Sequence, residues 1–397
     1  MPVLASQLRA AIKRSLRKQG YVLGSDGTLI PRDPEVTKET LRNLNRLAVE
    51  HRLATAEPNL QRHEERLLSF IADGTEVDPR NIKPRLVLVL PSSVNELLFR
   101  YVSLHWSIPV SSGYGRRLRF LIFDDYNGKL IGILGLADPV FSLGPRDTWI
   151  GWTAAQRSER LFHVLDAYVL GAVPPYSHLL CGKLIALLAL SNEVRQAFRR
   201  RYRDHVSVIK RKRRLPHLVL LTTTSALGRS SIYNRLSANG VRFWHSLGFT
   251  AGSGEFHFSN GIYASMKEFV EHNATPTWRH QAWGAGFRNR REVIRKCLAE
   301  LGMPKRLSDH GIRREIFAAA LAEKSLSYLK GETDRPVFKN WSVAQIFSIF
   351  RERWLLKRAL SDPSFRGFTK EAYRLWPMSR RPALPVRKSH PQKAIAL

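Results

Sequence analysis

The sequence predicts an α/β (α+β) protein in which helices flank a mixed β-sheet. Apolar runs at 118–124 and 129–136 are separated by an Asn-Gly turn at 127–128, and Asn-Gly between two apolar runs is a strong signal for a β-hairpin. Further strands are predicted at 168–173 and 217–224, each followed by a helical segment. Strands that alternate with helices in this way are typical of a mixed α/β sheet.

The strand at 168–173 and the helix after it form the centre of the chain. Pro174 and Pro175 end the strand, and Ser177 is predicted to cap an apolar helix that begins at His178. Such a turn would leave unpaired backbone N–H groups at the positive end of a helix dipole. We therefore expect an anion or phosphate seat at this turn.

The first 80 residues are predicted to be a helical lead-in to this core. Amphipathic spacing predicts a helix over 1–19, and turn residues predict a small hairpin over 20–34. Helical spacing resumes over 37–71. A short apolar strand at 85–90, followed by a helix, then begins the core.

The C-terminal part is predicted to be mainly helical. A strand through Phe256 and Phe258 precedes a helix at 264–271. Three more helices are predicted at 288–301, 308–329 and 343–360. The final segment is rich in proline and basic residues and contains no acid, which predicts a disordered tail. The predicted domains are a helical region at 1–80, an α/β core at 81–275, a helical region at 276–376 and a basic tail at 377–397.

The charge balance favours a polyanionic partner. The 397 residues contain 64 Lys and Arg against 33 Asp and Glu, so the formal net charge is +31, which attracts nucleic acid. A membrane partner is not expected, because no apolar run reaches the roughly 18 residues of a spanning helix and no signal peptide is recognised. Cys181 and Cys297 lack metal-binding spacing, which favours a reducing cytoplasmic location.

Basic segments are the candidate contacts to DNA or RNA. Residues 195–214 include ten Lys or Arg and one acid, and such runs repel each other unless a polyanion compensates them. A loop at 106–119 combines Trp106 and Tyr114 with arginines, which suits a phosphate backbone and a stacked base. The alternative is that these side chains are only solvated. The residues expected to bind nucleic acid are Arg116, Arg117, Arg119, Arg199, Arg200, Arg201, Arg203, Lys210, Arg211, Lys212, Arg213, Arg214, Arg229 and Arg235.

Asp138 and Asp147 are the candidate metal ligands and catalytic carboxylates. Asp138 directly follows a predicted strand and Asp147 comes shortly after it. Carboxylates at strand ends beside a basic groove can hold Mg²⁺ for phosphodiester cleavage, so Mg²⁺ is the candidate cofactor. In the alternative interpretation, Asp138 caps the turn before Pro139 and Asp147 pairs with Arg146.

Ser231 and Tyr233, in the segment GRSSIYNRL, are candidate nucleophiles. Arg229 and Arg235 flank these hydroxyls, and strand transfer needs a nucleophilic hydroxyl together with cations that stabilise charge on the phosphorus oxygens. In the alternative interpretation, Ser230 or Ser231 caps the next helix and Tyr233 is a packing residue.

The order of elements over 117–258 resembles the GNAT acyltransferase arrangement. A strand hairpin, a strand that enters a helix through a tight turn, and a strand followed by FWHSLGF are similar to that family, which implies a GNAT-like core. The family's pyrophosphate loop normally supplies two glycines, whereas 176–182 contains Gly182 alone, and Leu179 and Leu180 would crowd coenzyme A. Acyl transfer therefore ranks as the third hypothesis.

Longer blocks resemble the DruA family of the bacterial Druantia anti-phage system. These blocks are RRLRFLIFDDYNGKLIGILGLADPVF, RDTWIGW, LDAYVLGAVPPYSHLLCGKL, LLTTTSALGRSSIYNRL, SLGFTAGSGEFHFS and HGIRREIF, and the resemblance spans most of 85–360. It implies a bacterial cytoplasmic protein that acts in phage defence close to nucleic acid, with other defence-system subunits as candidate partners. It implies no particular reaction.

The preferred hypothesis is a nucleic-acid-binding component of such a defence system. A metal-dependent nuclease or strand-transfer enzyme acting on DNA or RNA is the second hypothesis, and a GNAT-type acyltransferase is the third. The sequence leaves open whether the protein catalyses any reaction.

Overall fold

A computed structural model of the chain describes residues 4–33, 35–110, 115–204, 206, 215–277 and 287–376. The predicted class, a mixed sheet flanked by helices, is confirmed. The strands are β1 (Tyr21–Leu23), β2 (Leu29–Pro31), β3 (Pro84–Leu88), β4 (Arg117–Asp124), β5 (Lys129–Ala137), β6 (Val164–Ala172), β7 (Leu220–Thr224), β8 (Ser237–Ala238), β9 (Val241–Arg242), β10 (His245–Phe249) and β11 (Glu315–Ala320).

The α-helices connect and cover these strands. They are α1 (Ala5–Gln19), α2 (Lys38–Leu60), α3 (Glu64–Leu68), α4 (Val94–Ser103), α5 (Gly144–Ile150), α6 (Ala154–Arg160), α7 (Cys181–Leu188), α8 (Asn192–Tyr202), α9 (Ser231–Asn234), α10 (Ile262–Asn273), α11 (Phe287–Glu300), α12 (Ser325–Lys330), α13 (Val343–Phe350) and α14 (Leu356–Ser361). A π-helical turn, Arg351–Leu355, joins α13 to α14. None of the described helices is both long and apolar enough to cross a membrane.

Seven strands form one sheet in the spatial order β10-β11-β7-β6-β5-β4-β3. The predicted Asn-Gly hairpin is confirmed as β4 and β5, and every neighbouring pair is antiparallel except β6 and β7. The parallel pair is short, because only residues 164–166 of β6 oppose residues 220–222 of β7. The parallel connection is made through α7 and α8, since parallel strands need a crossover.

Helices cover both faces of this sheet. On one face, α7, α8 and α13 contribute buried residues to the largest apolar cluster, where Leu184 and Phe198 meet Leu118 and Phe120 of β4. On the other face, α3 and α4 cover β4 and β5, while α5 and α12 cover β7 and β11. The alternation along β4 explains this division, since Leu121 joins the opposite cluster from Phe120. A separate cluster joins α1, α2 and the β1–β2 hairpin to α10 and α11.

One predicted helix is wrong. Residues 308–329 were expected to be helical, but Glu315–Ala320 forms β11, which is inserted between β10 and β7. The reason is that β11 is buried on both faces, so its apolar run has no period-two pattern that would distinguish it from a buried helix. The strand expected through Phe256 and Phe258 is also wrong, because this segment is a single 3₁₀ turn. The domain boundaries stay a prediction, although β11 places part of 276–376 in the sheet.

The central turn also differs from the prediction. The helix begins at Cys181 and not at His178, and Ser177 does not cap it. Leu180 precedes the helix with a left-handed φ of 61°. The backbone N–H groups of residues 177–181 all donate to carbonyls of residues 173–177. The backbone N–H groups of 177–181 are therefore not available to an anion, although the prediction relied on unpaired N–H groups at this turn.

Candidate nucleic-acid interface

One end of the sheet collects basic side chains from segments that are far apart in sequence. Strands β4, β6 and β7 begin at this end and β5 ends there, since Arg117 opposes Ala137, Ala137 opposes Asp166, and Val164 opposes Leu220. The last residue of β11 is also paired here with Leu220. The register therefore brings the residues that flank these strand ends together.

Arg116, immediately before β4, is part of the internal structure of this end. Its side chain is 8% exposed and pairs with Asp138, from Nη2 to Oδ1 at 2.6 Å and from Nε to Oδ1 at 2.7 Å. The guanidinium Cζ lies 4.3 Å from the Phe162 ring centroid, and the Phe198 and Tyr202 rings lie at 5.3 and 5.7 Å. Arg116 is therefore saturated by a carboxylate and three aromatic rings.

Asp138 is held by the same contact. Its Oδ2 accepts the Arg116 N–H at 2.9 Å, and the chain before it must approach closely. Gly115 has a φ of +63°, and a Cβ atom there would lie 2.0 Å from Asp138 Oδ2, so only glycine fits. Both oxygens of the predicted metal ligand Asp138 are thus engaged by Arg116.

Helix α8 presents the predicted arginines on its outer face. Ser191 caps the helix by accepting the Val194 N–H, and one face of α8 is buried through Val194, Ala197, Phe198 and Tyr202. Arg199, Arg200 and Arg201 are exposed in the last turn, where cations also favour the helix dipole. All Asp and Glu residues of the chain lie in the described part, and none of the ion pairs there involves these three arginines. They are free to meet an external anion.

Tyr202 ties the end of α8 to the start of β4. Its hydroxyl donates to the Arg117 carbonyl at 3.0 Å. The Arg117 side chain is exposed, and strand alternation directs it to the face opposite Leu118. Two of the predicted basic segments thus meet at the same strand end, with their arginines on either side of it.

Arg195, inside the predicted basic segment 195–214, and Arg160, which the prediction missed, also belong to this end. The Arg195 guanidinium stacks on the Phe338 ring at 4.2 Å, and Arg160 stacks on the Tyr328 ring at 4.9 Å. The Tyr328 hydroxyl lies 3.2 Å from His217 Nδ1. We call the whole set the basic end, and its members are Arg117, Arg160, Arg195, Arg199, Arg200, Arg201 and His217.

Two histidines at this end of the sheet have lowered pKa values. Burial lowers the pKa of His217, and the neighbouring Arg199 lowers it further. Burial also lowers the pKa of His163 to about 3, and His217, Arg160 and Arg116 act in the same direction. His163 is therefore neutral, and its Nδ1 donates to the His217 carbonyl at 2.9 Å. At both histidines, neighbouring arginines therefore add to the effect of burial on the pKa.

The densest predicted basic run is attached to this end. Lys210, Arg211, Lys212, Arg213 and Arg214 lie outside the described residues, as do residues 111–114 and the tail 377–397. The run is flanked by Tyr202 and His217, both fixed at the basic end by the hydrogen bonds given above. Residues 205–214 contain no acid, so they add charge of one sign.

Arg119 belongs to a smaller group on the other face of β4. Its Nε donates to the Tyr168 hydroxyl at 3.2 Å, and its Nη1 contacts Glu96 Oε1 at 3.4 Å. Burial raises the pKa of Tyr168, while Arg119, Arg117 and Arg52 lower it. Arg52 comes from α2 and carries no local sequence signal for this position. Arg119 is partly neutralised by Glu96, whereas Arg117 has no such partner among the described acids.

Three other predicted basic residues, Arg203, Arg229 and Arg235, are not members of the basic end. Arg203 pairs with Asp204 at 3.3 Å, and both side chains are largely exposed. Arg229 and Arg235 are exposed on either side of α9. Trp106, predicted as a base-stacking residue, packs on β6, since a Cβ at Gly171 would lie 2.8 Å from its ring.

Asp147 lies in a closed hydrogen-bond network. It accepts from Arg146 Nε at 2.8 Å and from Arg146 Nη2 at 2.7 Å, and the Arg146 side chain is fully buried. Trp152 Nε1, Arg157 Nη1 and the Leu143 N–H also donate to it. Burial acts to raise the pKa of Asp147, but these donors outweigh it and hold the pKa below its ordinary value. The pairing with Arg146 matches the alternative interpretation of the sequence.

The hydroxyls of GRSSIYNRL have distinct environments. Ser230 caps α9 by accepting the Ile232 N–H, and Ser231 is exposed. Tyr233 is buried between Trp244 and Phe317, with ring centroids at 5.2 and 4.9 Å. Burial raises the pKa of Tyr233 to about 12. Tyr233 is thus placed as a packing residue, while the hydroxyl of Ser231 is the accessible one.

Two carboxylates, the buried Glu315 and the half-buried Asp166, organise this region and were missed by the prediction. Glu315 of β11 accepts from the Ser246 hydroxyl at 2.8 Å and from Asn234 Nδ2 at 3.0 Å, which anchors α9 to the sheet. Asp166 accepts from the Thr222 hydroxyl at 2.8 Å where β6 and β7 diverge. Burial raises the pKa of Asp166 to about 6. A carboxylate inside an apolar strand run, as at 164–172, is the signal that could have found Asp166.

The candidate carboxylates do not form a metal site. Within the described part of the chain, no group of three or more His, Cys, Asp or Glu side chains could hold a metal ion. The oxygens of Asp138 and Asp147 already accept arginine donors. The donor set that these residues offer therefore does not fit Mg²⁺, which needs several free oxygen ligands.

Comparisons with known proteins identify the family. The family described as Druantia protein DruA matches residues 35–331. A curated Druantia protein DruA from Escherichia coli (strain UMEA 4076-1) is 38% identical over 364 residues, which cover 91% of this chain and 89% of the relative. No solved structure gives a significant match. The chain therefore belongs to the family of the Druantia defence-system protein DruA.

Proposed function

We propose that the chain is the nucleic-acid-binding component of its defence system and that the basic end is the binding surface. The observation that carries this proposal is the exposed set Arg199, Arg200 and Arg201. Among the described residues, which include every acid, it has no carboxylate partner, and the basic run 205–214 follows a few residues later. Other subunits of the defence system are further candidate partners. A GNAT-type reaction is not part of this proposal.

The physical argument is counterion release. Arginines that lack internal partners hold a layer of anions from solution, and a phosphate backbone that replaces them returns those ions to the solvent. Arg116 and Arg146 cannot contribute, since their carboxylate partners are already in place. The surfaces of nucleic acids and of α8 are therefore complementary in charge.

The same geometry favours binding over metal-dependent cleavage. The candidate carboxylates Asp138 and Asp147 each accept several arginine or N–H donors, so they are better suited to hold the basic end together than to coordinate an ion. Strand transfer by Ser231 or Tyr233 stays a prediction.

Fluorescence anisotropy with labelled DNA and RNA of one sequence tests the proposal. We expect the variant Arg199→Gln/Arg200→Gln/Arg201→Gln to lose on the order of tenfold or more in affinity at low salt. The matched control is Arg9→Gln/Arg14→Gln/Arg17→Gln on the exposed face of α1, which removes the same charge elsewhere. Equal affinities for the two variants would contradict the assignment to α8, and failure of the wild-type protein to bind either polymer would contradict the function.

A further inference from the structure

A second cationic cluster lies at the opposite end of the sheet. Lys183 is in the first turn of α7, which follows the end of β6, whereas the basic end is at the start of β6. The length of β6 separates the two ends by about 30 Å. Lys183 is only 9% exposed, so its charge is held largely away from water.

Other cations surround Lys183 without a compensating acid. Burial lowers the pKa of Lys183, and Arg235 and Arg353 lower it further. Its Nζ lies 5.7 Å from the Trp354 ring centroid, and the Arg353 guanidinium lies 5.3 Å from the same ring. The Lys183 ammonium makes no ion pair or hydrogen bond in the described residues, which include every acid of the chain. The nearby Glu352 accepts a hydrogen bond from the Ser348 hydroxyl instead.

The positions of these cations are fixed by packing. A Cβ at Gly182 would lie 3.4 Å from Ile232 Cδ1, so α9 rests on the start of α7 and carries Arg235 with it. Arg353 and Trp354 lie in the π-helical turn Arg351–Leu355, and π turns are frequent at functional sites. The Trp354 ring stacks on Phe350 at 6.2 Å, which holds the turn against the core.

Several costs converge on Lys183. The residue is desolvated, it faces two arginines, and it lies in the first turn of a helix, where the dipole disfavours a cation and no acid is present. A fold keeps such a group only if another interaction offsets these costs. An external anion bound between the three side chains would do so.

We propose that Lys183, Arg235 and Arg353 form a binding site for a ligand that carries a phosphomonoester or pyrophosphate group. Lys183 contacts the phosphate oxygens from the floor of the site. Arg235, which directly follows α9, and Arg353, in the π turn, close over it. This ligand chemistry is shared by free nucleotides and by the phosphorylated end of a nucleic-acid strand.

Thermal unfolding with inorganic pyrophosphate as the probe tests the site. The wild-type protein is expected to gain stability as pyrophosphate is added, because a ligand that binds only the folded state stabilises it. Lys183→Met keeps the aliphatic stem and removes the charge. We expect this variant to unfold at the same or a higher temperature without pyrophosphate, and to bind pyrophosphate at least about tenfold more weakly.

The control is Lys357→Met, an equal charge loss at an exposed position of α14. It should bind pyrophosphate like the wild-type protein, which separates the site from the general attraction of a cationic protein. Pyrophosphate affinities that are equal in the two variants would overturn the proposal. If Lys183→Met does not fold, Arg235→Gln and Arg353→Gln, both exposed, provide the same comparison.

Two further arms identify the source of the phosphate. A nucleoside triphosphate and a 5′-phosphorylated oligonucleotide are titrated in parallel, and the one that binds more tightly identifies the ligand class. The α8 variant Arg199→Gln/Arg200→Gln/Arg201→Gln should keep its pyrophosphate affinity, while Lys183→Met should keep its affinity for long nucleic acid. The two proposals can therefore fail independently.

Discussion

Arg116 and Arg199 lie at the same end of the sheet but have opposite environments. Arg116 is caged by aromatic rings and bound to Asp138, whereas Arg199 is exposed on α8 without a carboxylate. The first arginine is needed for the fold and the second is available to a partner. The arginines of the chain therefore fall into two populations, and only the second is available for the proposed nucleic-acid binding.

Loss of an internal carboxylate should have the largest effect. Asp147→Asn leaves the fully buried Arg146 without its anion, and we expect the free energy of unfolding to fall by about 3–5 kcal/mol. Urea denaturation measures this change. Asp125→Asn is the control, because the Arg85–Asp125 pair is exposed and worth about 0–1 kcal/mol. A loss of stability at Asp147 no larger than at Asp125 would contradict the internal role.

The neighbours Arg116 and Arg117 should separate stability from binding. Arg116→Gln is expected to lower the free energy of unfolding by about 2–4 kcal/mol, since Asp138 loses its partner. Arg117→Gln should change stability by less than about 0.5 kcal/mol and should weaken nucleic-acid binding. The comparison fails if Arg117→Gln unfolds as easily as Arg116→Gln.

Asp166 should make the protein less stable as pH rises, which is the opposite of the usual effect of a carboxylate. Burial raises its pKa from 3.8 to about 6, so its ionisation opposes folding, and this cost appears as pH rises from about 4 to about 6. Asp166→Asn removes the cost and should be more stable than the wild type by about 1–3 kcal/mol at pH 7. The difference should disappear near pH 4.

Comparing Asp166→Asn with the wild-type protein separates the contribution of Asp166 to stability from that of the histidines. The pKa values of His163 and His257 are lowered by burial to about 3, so both proteins lose stability as pH falls below about 6.5. The quantity to follow across this pH range is therefore the difference in the free energy of unfolding between Asp166→Asn and the wild type, measured by denaturation. A difference that does not vary with pH would show that Asp166 titrates normally.

The smallest expected effect is a shift in the pKa of His217 when nucleic acid binds. Burial and Arg199 lower its pKa, and bound phosphates would offset Arg199, so the pKa should rise by less than about one unit when nucleic acid is added. Histidine NMR signals followed during a pH titration measure the change. In the variant Arg199→Gln/Arg200→Gln/Arg201→Gln, the pKa of His217 should already be higher and should respond less. An unchanged pKa would place the nucleic acid elsewhere.

The sequence predicts the elements whose boundaries are marked by turn residues. The β4–β5 hairpin follows from Asn127-Gly128, and α1 follows from its apolar stripe. Strand β11 was missed because a strand buried on both faces has no alternation. The backbone N–H groups after β6 were expected to bind an anion, but those of 177–181 donate to nearby carbonyls, a result of dihedral angles that residue types alone do not fix.

The candidate site could be predicted only in part. Arg199, Arg200 and Arg201 were predicted from the charge density of 195–214. Arg116 was predicted from the basic loop at 106–119, but it is internally paired with Asp138. Strand alternation indicates an internal position for Arg116, because it lies two residues before the buried Leu118 and therefore on the same face. Its pairing with Asp138 depends on the β4–β5 register, which shifts at an irregularity between Ile122 and Phe123 that no sequence pattern marks.

The salt dependence of binding tests the central claim most directly. The logarithm of the association constant should fall linearly with the logarithm of salt concentration, with a slope of about −0.9 for each phosphate contact on duplex DNA. The account predicts that Arg199→Gln/Arg200→Gln/Arg201→Gln reduces this slope by up to about 2.7, while Arg9→Gln/Arg14→Gln/Arg17→Gln leaves it unchanged. The same slope in both variants and in the wild-type protein would contradict the assignment of the basic end as the nucleic-acid interface.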